Sequence, residues 1–284
     1  MARVPAGAAL CDRLLFGHPP ATPLLEQGEA PLVLYPRRWL VLLLFCLLSC
    51  VNGAMWIQFA SVANICQSYY GTTALAIDWL SMIYMLIYIP GMAPAVRVFE
   101  RHGLRRGVLA GAALNAVGAL LRWHGAGARS FGWTFAGQTV CSVAQCFTLG
   151  VPPMLSAAWF GPRERARATS VGVLSNQLGG ALGLLSSVVV RKGADLPPLL
   201  GGTAIASVVI LALLVLGLQS APPTPPSRSQ QAIQAGSRSH DPAAQSEYTQ
   251  LMRHVPFLLL LVAYGIVVGV YCKIVILSRC CPSR

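Results

Sequence analysis

From Trp39 to Ile77 the chain carries no charged side chain. A soluble fold of this size has no use for so long an uncharged stretch, because most of its surface must be solvated. A bilayer does: each spanning helix takes about 20 consecutive apolar residues. The rest of the 284 residues agrees. Only 11 % are charged, against about 25 % in soluble domains, and the mean hydropathy is +0.61. The net charge is +12, but the positive residues fall in loops and form no single patch, which argues against a nucleic-acid binder. The deficit of charge also argues against a cytosolic enzyme. The expected fold class is an all-α polytopic membrane protein.

Residues 1–36 read as a disordered tail rich in Pro, Ala and Gly. Tyr35-Pro36-Arg37-Arg38-Trp39 reads as an interface anchor, with the arginines at headgroup level and Trp39 at the boundary. Apolar runs predict spans over about 40–63, 77–98, 106–123, 132–158, 168–190 and 198–218. The domain expectation is a tail (1–36), a six-helix transmembrane bundle (37–219), a polar linker (220–254) and a seventh segment with its tail (255–284). The linker contains Pro222-Pro223-Thr224-Pro225-Pro226 and is stiffened and solvated by its composition. The tail and the 2–3, 4–5 and 6–7 connections hold fourteen arginines. The opposite side holds Arg122, Arg129, Arg191 and Lys192. This bias predicts a cytoplasmic N-terminus.

The nine cysteines are odd in number and lie mostly in apolar runs. None has zinc-ligand spacing with a histidine, so they read as small buried hydrophobes. No cofactor, metal or catalytic constellation is expected: the sequence has no Gly-rich phosphate loop and no Ser/His/Asp arrangement.

Between spans two and three stands Glu100-Arg101-His102-Gly103-Leu104-Arg105-Arg106. It resembles the acid-Arg-x-Gly-x-Arg loop of major facilitator transporters. Glu100, Arg101, Gly103 and Arg105 would then be a conformational motif, the glycine making a tight turn and the charges pairing across helix ends in one state. A plain positive-inside loop is the alternative. Six spans, a long linker and a new span are the layout of a facilitator N-terminal six-helix bundle plus the start of the second half.

Further strings are collinear with one family within that superfamily. They are Asn52-Gly53-Ala54-Met55-Trp56-Ile57-Gln58, Ile77-Asp78-Trp79-Leu80-Ser81-Met82-Ile83-Tyr84-Met85, Cys141-Ser142-Val143-Ala144-Gln145, Trp159-Phe160-Gly161-Pro162 and Ser175-Asn176-Gln177-Leu178-Gly179. Over roughly residues 35–220 the chain resembles the feline leukaemia virus subgroup C receptor-related (FLVCR) transporters. The resemblance implies choline and ethanolamine as substrates, with haem export as the alternative. It ends after Tyr271, where Cys272-Lys273-Ile274 and the run to Arg284 do not read as a continuing span. An incomplete chain is the expectation. A non-transporting truncated form, self-associating through the face a second half would cover, is the other alternative.

Trp56 and Gln145 match positions of the family's substrate site, and Tyr271 would add a ring from span seven. Aromatic faces hold a quaternary ammonium, and an amide oxygen accepts from the choline hydroxyl. Read from the residues alone, Trp56 also suits an interfacial belt, and Gln145 an interhelical hydrogen bond. Gln138, Gln145, Asn176 and Gln177 are read together as polar groups on the bundle's inner face, exposed to lipid or a second copy when unpartnered. Haem would want basic residues and an axial ligand. With Arg122 assigned to a loop, no basic residue stands mid-span, which favours a small cationic amine. Asp78 reads as a helix cap or a substrate counter-ion. Gly107, Gly111, Gly118, Gly179 and Gly183 read as packing positions, and Pro90, Pro94 and Pro152-Pro153 as bends. Without a mid-membrane acid, uniport is the simpler mechanism. The expected location is the plasma membrane, with the endoplasmic reticulum or a mitochondrial membrane as alternatives. Beyond the bilayer and a small-molecule substrate, no nucleic-acid partner is expected.

Overall fold

The computed structural model describes residues 35–219 and 254–277. The tail (1–34) and most of the linker (220–253) lie outside the described residues, as does the run after 277. The structured elements are α1 (Arg37–Ser61), α2 (Ala63–Tyr70), α3 (Ala74–Gly127), α4 (Phe131–Cys146), α5 (Val151–Trp159), α6 (Pro162–Leu184), α7 (Ser186–Val189), a 3₁₀ turn (Gly193–Asp195), α8 (Leu196–Gly217) and α9 (Val255–Leu277). The chain forms two units divided at Ser227 and Arg228, and α9 belongs to the second.

Among the described residues four helices are long and apolar enough to cross a membrane, and α4 with α5 makes a fifth candidate bent by 42°. α3 has 54 residues, about 80 Å at 1.5 Å per residue, which is more than two bilayer crossings. It divides at Gly103, whose φ of 78° and ψ of 171° are non-helical. Glycine adopts this conformation without a Cβ penalty. The segments expected as spans two and three therefore meet at one residue, Gly103.

Local chemistry sets the boundaries. α2 ends on Gly71 in the left-handed conformation, φ 63°. Thr73 caps α3, its Oγ1 accepting the Ala76 amide at 3.3 Å. Asp78 is exposed one turn further on, so the cap expected of it belongs to Thr73. Prolines occupy the first turns of α5, α6 and α8, where no backbone donor is lost. Pro90 and Pro94 lie inside α3 without breaking it. The break in span four instead falls at 147–150, just before Pro152-Pro153.

Packing follows the small-residue faces. α1 runs along α6, and α3 packs on α4 and α8. A Cβ on Gly179 would overlap the Cys50 carbonyl, and one on Gly118 would strike Cys141 and the Gly137 carbonyl. Such contacts need residues with no side chain. The interior holds Phe45, Leu48, Met55, Phe59, Leu80, Leu155 and Leu200, all buried. Large apolar residues also cover the outside, Ile89 at 81 % exposure and Leu216 at 84 % among them. Such a surface suits lipid as its solvent.

Candidate functional site

Trp56 lies in the far half of α1, half-buried, its Nε1 donating to the Ser81 carbonyl of α3 at 3.3 Å. It packs beside a cluster of Met55, Ile83, Tyr84 and Cys141. Gln145 stands one turn after Cys141 in α4, on the same helix face. It is buried, and its side-chain oxygen has no hydrogen-bond partner. Its backbone carbonyl accepts the Thr148 amide at 3.0 Å, the Leu149 amide at 3.1 Å and the Thr148 hydroxyl at 3.0 Å. Gln145 thus holds the turn that breaks span four and presents a free amide oxygen at that break. No hydrogen bond or ring contact joins Trp56 to Gln145 among the described residues. Tyr271 is in α9, and its side chain lies outside the described residues.

The other intramembrane amides behave differently from expectation. Gln138 does not face lipid: it is fully buried and its Nε2 donates to the Met55 carbonyl at 3.2 Å. Asn176 is buried as well, donating to the Ser49 carbonyl at 3.1 Å. Both staple α1 to a neighbour. Gln177 is exposed on the opposite face of α6. The four residues therefore form no common inner surface, because the glycine faces of α4 and α6 turn inward to α1 and α3 and carry Gln138 and Asn176 with them.

A larger correction concerns Arg122. It is not a loop residue: only 1 % exposed, it is one of the largest fully buried side chains. Its Nη2 donates to the Gln58 side-chain oxygen at 2.6 Å, and its guanidinium lies 4.7 Å from the Phe59 ring centre. Nε and Nη1 have no partner. Near it, Asn52 donates to Asn115 Oδ1 at 2.9 Å and to the Cys141 carbonyl at 3.3 Å. A signal was available. Gly111, Asn115, Gly118, Arg122 and Gly125 recur at spacings of four and three, all buried, so Arg122 lies on the packed glycine face. A basic residue does stand inside the bundle, held by Gln58 and Phe59 and close to the α4 backbone at Gly137, and among the described residues no hydrogen bond joins it to Trp56 or Gln145.

The loop motif resolves into separate tasks. Gly103 makes the reversal. Arg105 donates from Nε to the Leu218 carbonyl at 2.7 Å and from Nη2 to the Val215 carbonyl at 3.3 Å, closing the C-terminal end of α8 with positive charge where the helix dipole favours it. Glu100 and Arg101 are exposed and make no ion pair among the described residues. An ion pair forms instead between Arg38 and Glu164, 3.1 Å apart, tying α1 to the first turn of α6. Trp39 meets Phe160 edge-on at 5.2 Å beside it.

With this geometry, the model of the Major Facilitator Superfamily matches residues 37–278. The chain belongs to the Major Facilitator Superfamily. Its relatives in the superfamily include the choline/ethanolamine transporter FLVCR1 of Felis catus, 39 % identical over 88 % of this chain and 46 % of that protein. An uncharacterised transporter of the superfamily from Caenorhabditis elegans is 40 % identical over 87 % of this chain and 43 % of its own length. The human choline/ethanolamine transporter FLVCR2 is 38 % identical over 83 % and 46 %. The chain fits the FLVCR family, as its motifs suggest, and spans about half the length of these curated relatives. They are transporters and not enzymes.

Proposed function

We propose that the chain forms the first half of a facilitator-type transporter for choline and ethanolamine, with Trp56 and Gln145 as substrate contacts. The observation that carries the site is the Gln145 side-chain oxygen, buried and without a partner at the break in span four. An unsatisfied buried acceptor costs about 1–3 kcal/mol. The hydroxyl of choline, or the hydroxyl or ammonium of ethanolamine, supplies the missing donor. Discontinuous spans near the midplane are where transporters of this kind place their substrates. The half-buried Trp56 ring supplies the face for the ammonium. The substrates printed for FLVCR1 and FLVCR2 support that chemistry. Tyr271 is a further candidate contact by family likeness alone, and Glu100 with Arg101 pairs across helix ends in the opposite conformational state. The plasma membrane is the proposed location. The N-terminus is cytoplasmic in this reading, on the strength of the loop arginines. The enclosed Arg122 offers no open face to haem propionates, so the haem reading gains nothing from its burial.

The test is labelled choline uptake by cells expressing a transporter that contains this half, with surface biotinylation as control. Loss of one cation–π contact, about 0.5–2 kcal/mol, raises KM about 2- to 30-fold in Trp56→Ala. Gln145→Leu raises it as well, with the hydroxyl-free analogue tetramethylammonium least affected. Wild-type kinetics in both variants at normal surface levels would remove the pair from the site.

A further inference from the structure

At the end of the bundle remote from Arg37, an open pocket of about 580 Å³ lies between three separate stretches of chain. α2 contributes Asn64 and Tyr69, the connection after α3 contributes Arg129, and the connection before α8 contributes Arg191, Lys192 and Gly193. Three cations therefore line one cavity. Each stretch is held by contacts of its own. The Tyr69 hydroxyl donates to the Ala126 carbonyl at 2.8 Å. The Arg129 guanidinium lies 5.3 Å from the Tyr69 ring centre. Arg129 is the described non-glycine residue with positive φ, 51°, a conformation costing about 1–2 kcal/mol for an ordinary side chain. Asp195 Oδ2 accepts the Arg191 and Lys192 amides, each at 2.9 Å. Gly193 lies so close to the Tyr69 ring that a Cβ there would approach it to 2.7 Å.

Asp195, next in sequence to the pocket-lining Ala194, is thus engaged with the Arg191 and Lys192 backbone amides, and no carboxylate is among the residues that line the pocket. Like charges brought together by fixed loops repel one another, and no ion pair relieves them among the described residues. An anion relieves all three at once. Lysine and arginine lining one open pocket match the oxygens of a phosphate group, which takes several charge-assisted hydrogen bonds together.

We infer that this pocket binds a phosphate group, carried either by a small anion in the aqueous phase or by the headgroup of an anionic phospholipid. This reading is independent of the choline proposal. It is tested with the whole purified chain in two arms. In detergent, labelled orthophosphate is followed by equilibrium dialysis with chloride balancing ionic strength. In nanodiscs of phosphatidylcholine with and without phosphatidylglycerol, co-retained lipid is followed by native mass spectrometry. Retention in one arm alone identifies the source. The combined variant Arg129→Asn, Arg191→Gln and Lys192→Gln weakens binding by about tenfold or more. Asparagine is chosen at 129 because it tolerates positive φ. Lys192→Gln alone, on an exposed side chain, weakens it by a smaller factor, and Lys192→Arg leaves it near the wild-type level. Absence of binding in both arms overturns the inference. So does wild-type binding by the triple variant, or displacement of phosphate by equimolar chloride.

Discussion

Arg122 allows a quantitative test of how this bundle tolerates a charge in its interior. Its guanidinium makes one hydrogen bond, 2.6 Å to Gln58, and lies 4.7 Å from the Phe59 ring. A bond to a charged group contributes about 1.5–3 kcal/mol, and a desolvated cation–π contact about 2 kcal/mol. Gln58→Met removes the bond and leaves the charge buried, so it should destabilise by about 2–3 kcal/mol. Arg122→Met removes the charge, the two unpartnered nitrogens and their desolvation cost together, against the loss of the Phe59 contact and a Gln58 left short of a donor. It should cost less than Gln58→Met. The double variant replaces both partners by apolar groups of similar length, which for buried polar pairs is often neutral or stabilising. Stability is measured by thermal unfolding in detergent followed by size-exclusion, and by steric trapping in bicelles for free energies. The expected coupling between positions 58 and 122 is about 1.5 kcal/mol or more. A Gln58→Met variant as stable as wild type, with additive effects in the double variant, would refute the buried-charge account. The guanidinium would then be solvated by a route the packing does not provide.

Gly179→Val drives a branched side chain into the Cys50 carbonyl, a backbone atom that cannot swing aside. It should lower stability by about 3 kcal/mol or more, at the top of the range for overpacking, whereas Gly127→Ala, with open space around it, should be neutral to stabilising in the same melt. Arg105→Ala releases the Leu218 and Val215 carbonyls, and hydrogen exchange over the last turn of α8 should accelerate several-fold for a loss of about 1 kcal/mol. At Asp195, backbone amide bonds from Arg191 and Lys192 hold the carboxyl below its ordinary value of 3.8. A lowered carboxyl stabilises the loop above 3.8 and loses that contribution as pH falls through the folded value. Exchange protection of those two amides should therefore persist at pH 4 and collapse in stronger acid, and Asp195→Asn should flatten the profile.

The spans were legible because uncharged runs of bilayer length have few other uses, and Gly103 because a one-residue reversal between helices needs positive φ. The capping of α3 was misread at Asp78, since Thr73 lies earlier and its hydroxyl reaches Ala76. Loop counting put Arg122 with the water-facing cations. A charge near a span end looks the same in one dimension whether it points to headgroups or into a glycine face, and only the four-and-three spacing from Gly111 to Gly125 tells them apart. Gln138 and Asn176 were similarly ambiguous: a buried amide and a substrate-facing one share the same spacing, and the identity of the helix packed over it decides. Trp56 and Gln145 are proposed as contacts through family likeness. The break beside the buried Gln145 oxygen falls in the turn before Pro152-Pro153, not at the prolines themselves.

A reversal of one residue at Gly103 also bears on how the chain is made. Spans two and three have only Gly103 between them at that end, so insertion as a single hairpin is the expected order, with Arg122 near the far end of its second arm. Carrying an arginine into a membrane costs up to about 2.5–3.5 kcal/mol at the centre during insertion. Synthesis proceeds from the N-terminus, and α1, with Gln58 on it, has by then already been delivered. The acceptor is waiting when the guanidinium arrives. The order of the sequence thus acts as an assembly instruction: exchanging Gln58 should first be felt as a fall in the yield of inserted chains, before any property of the finished bundle is measured.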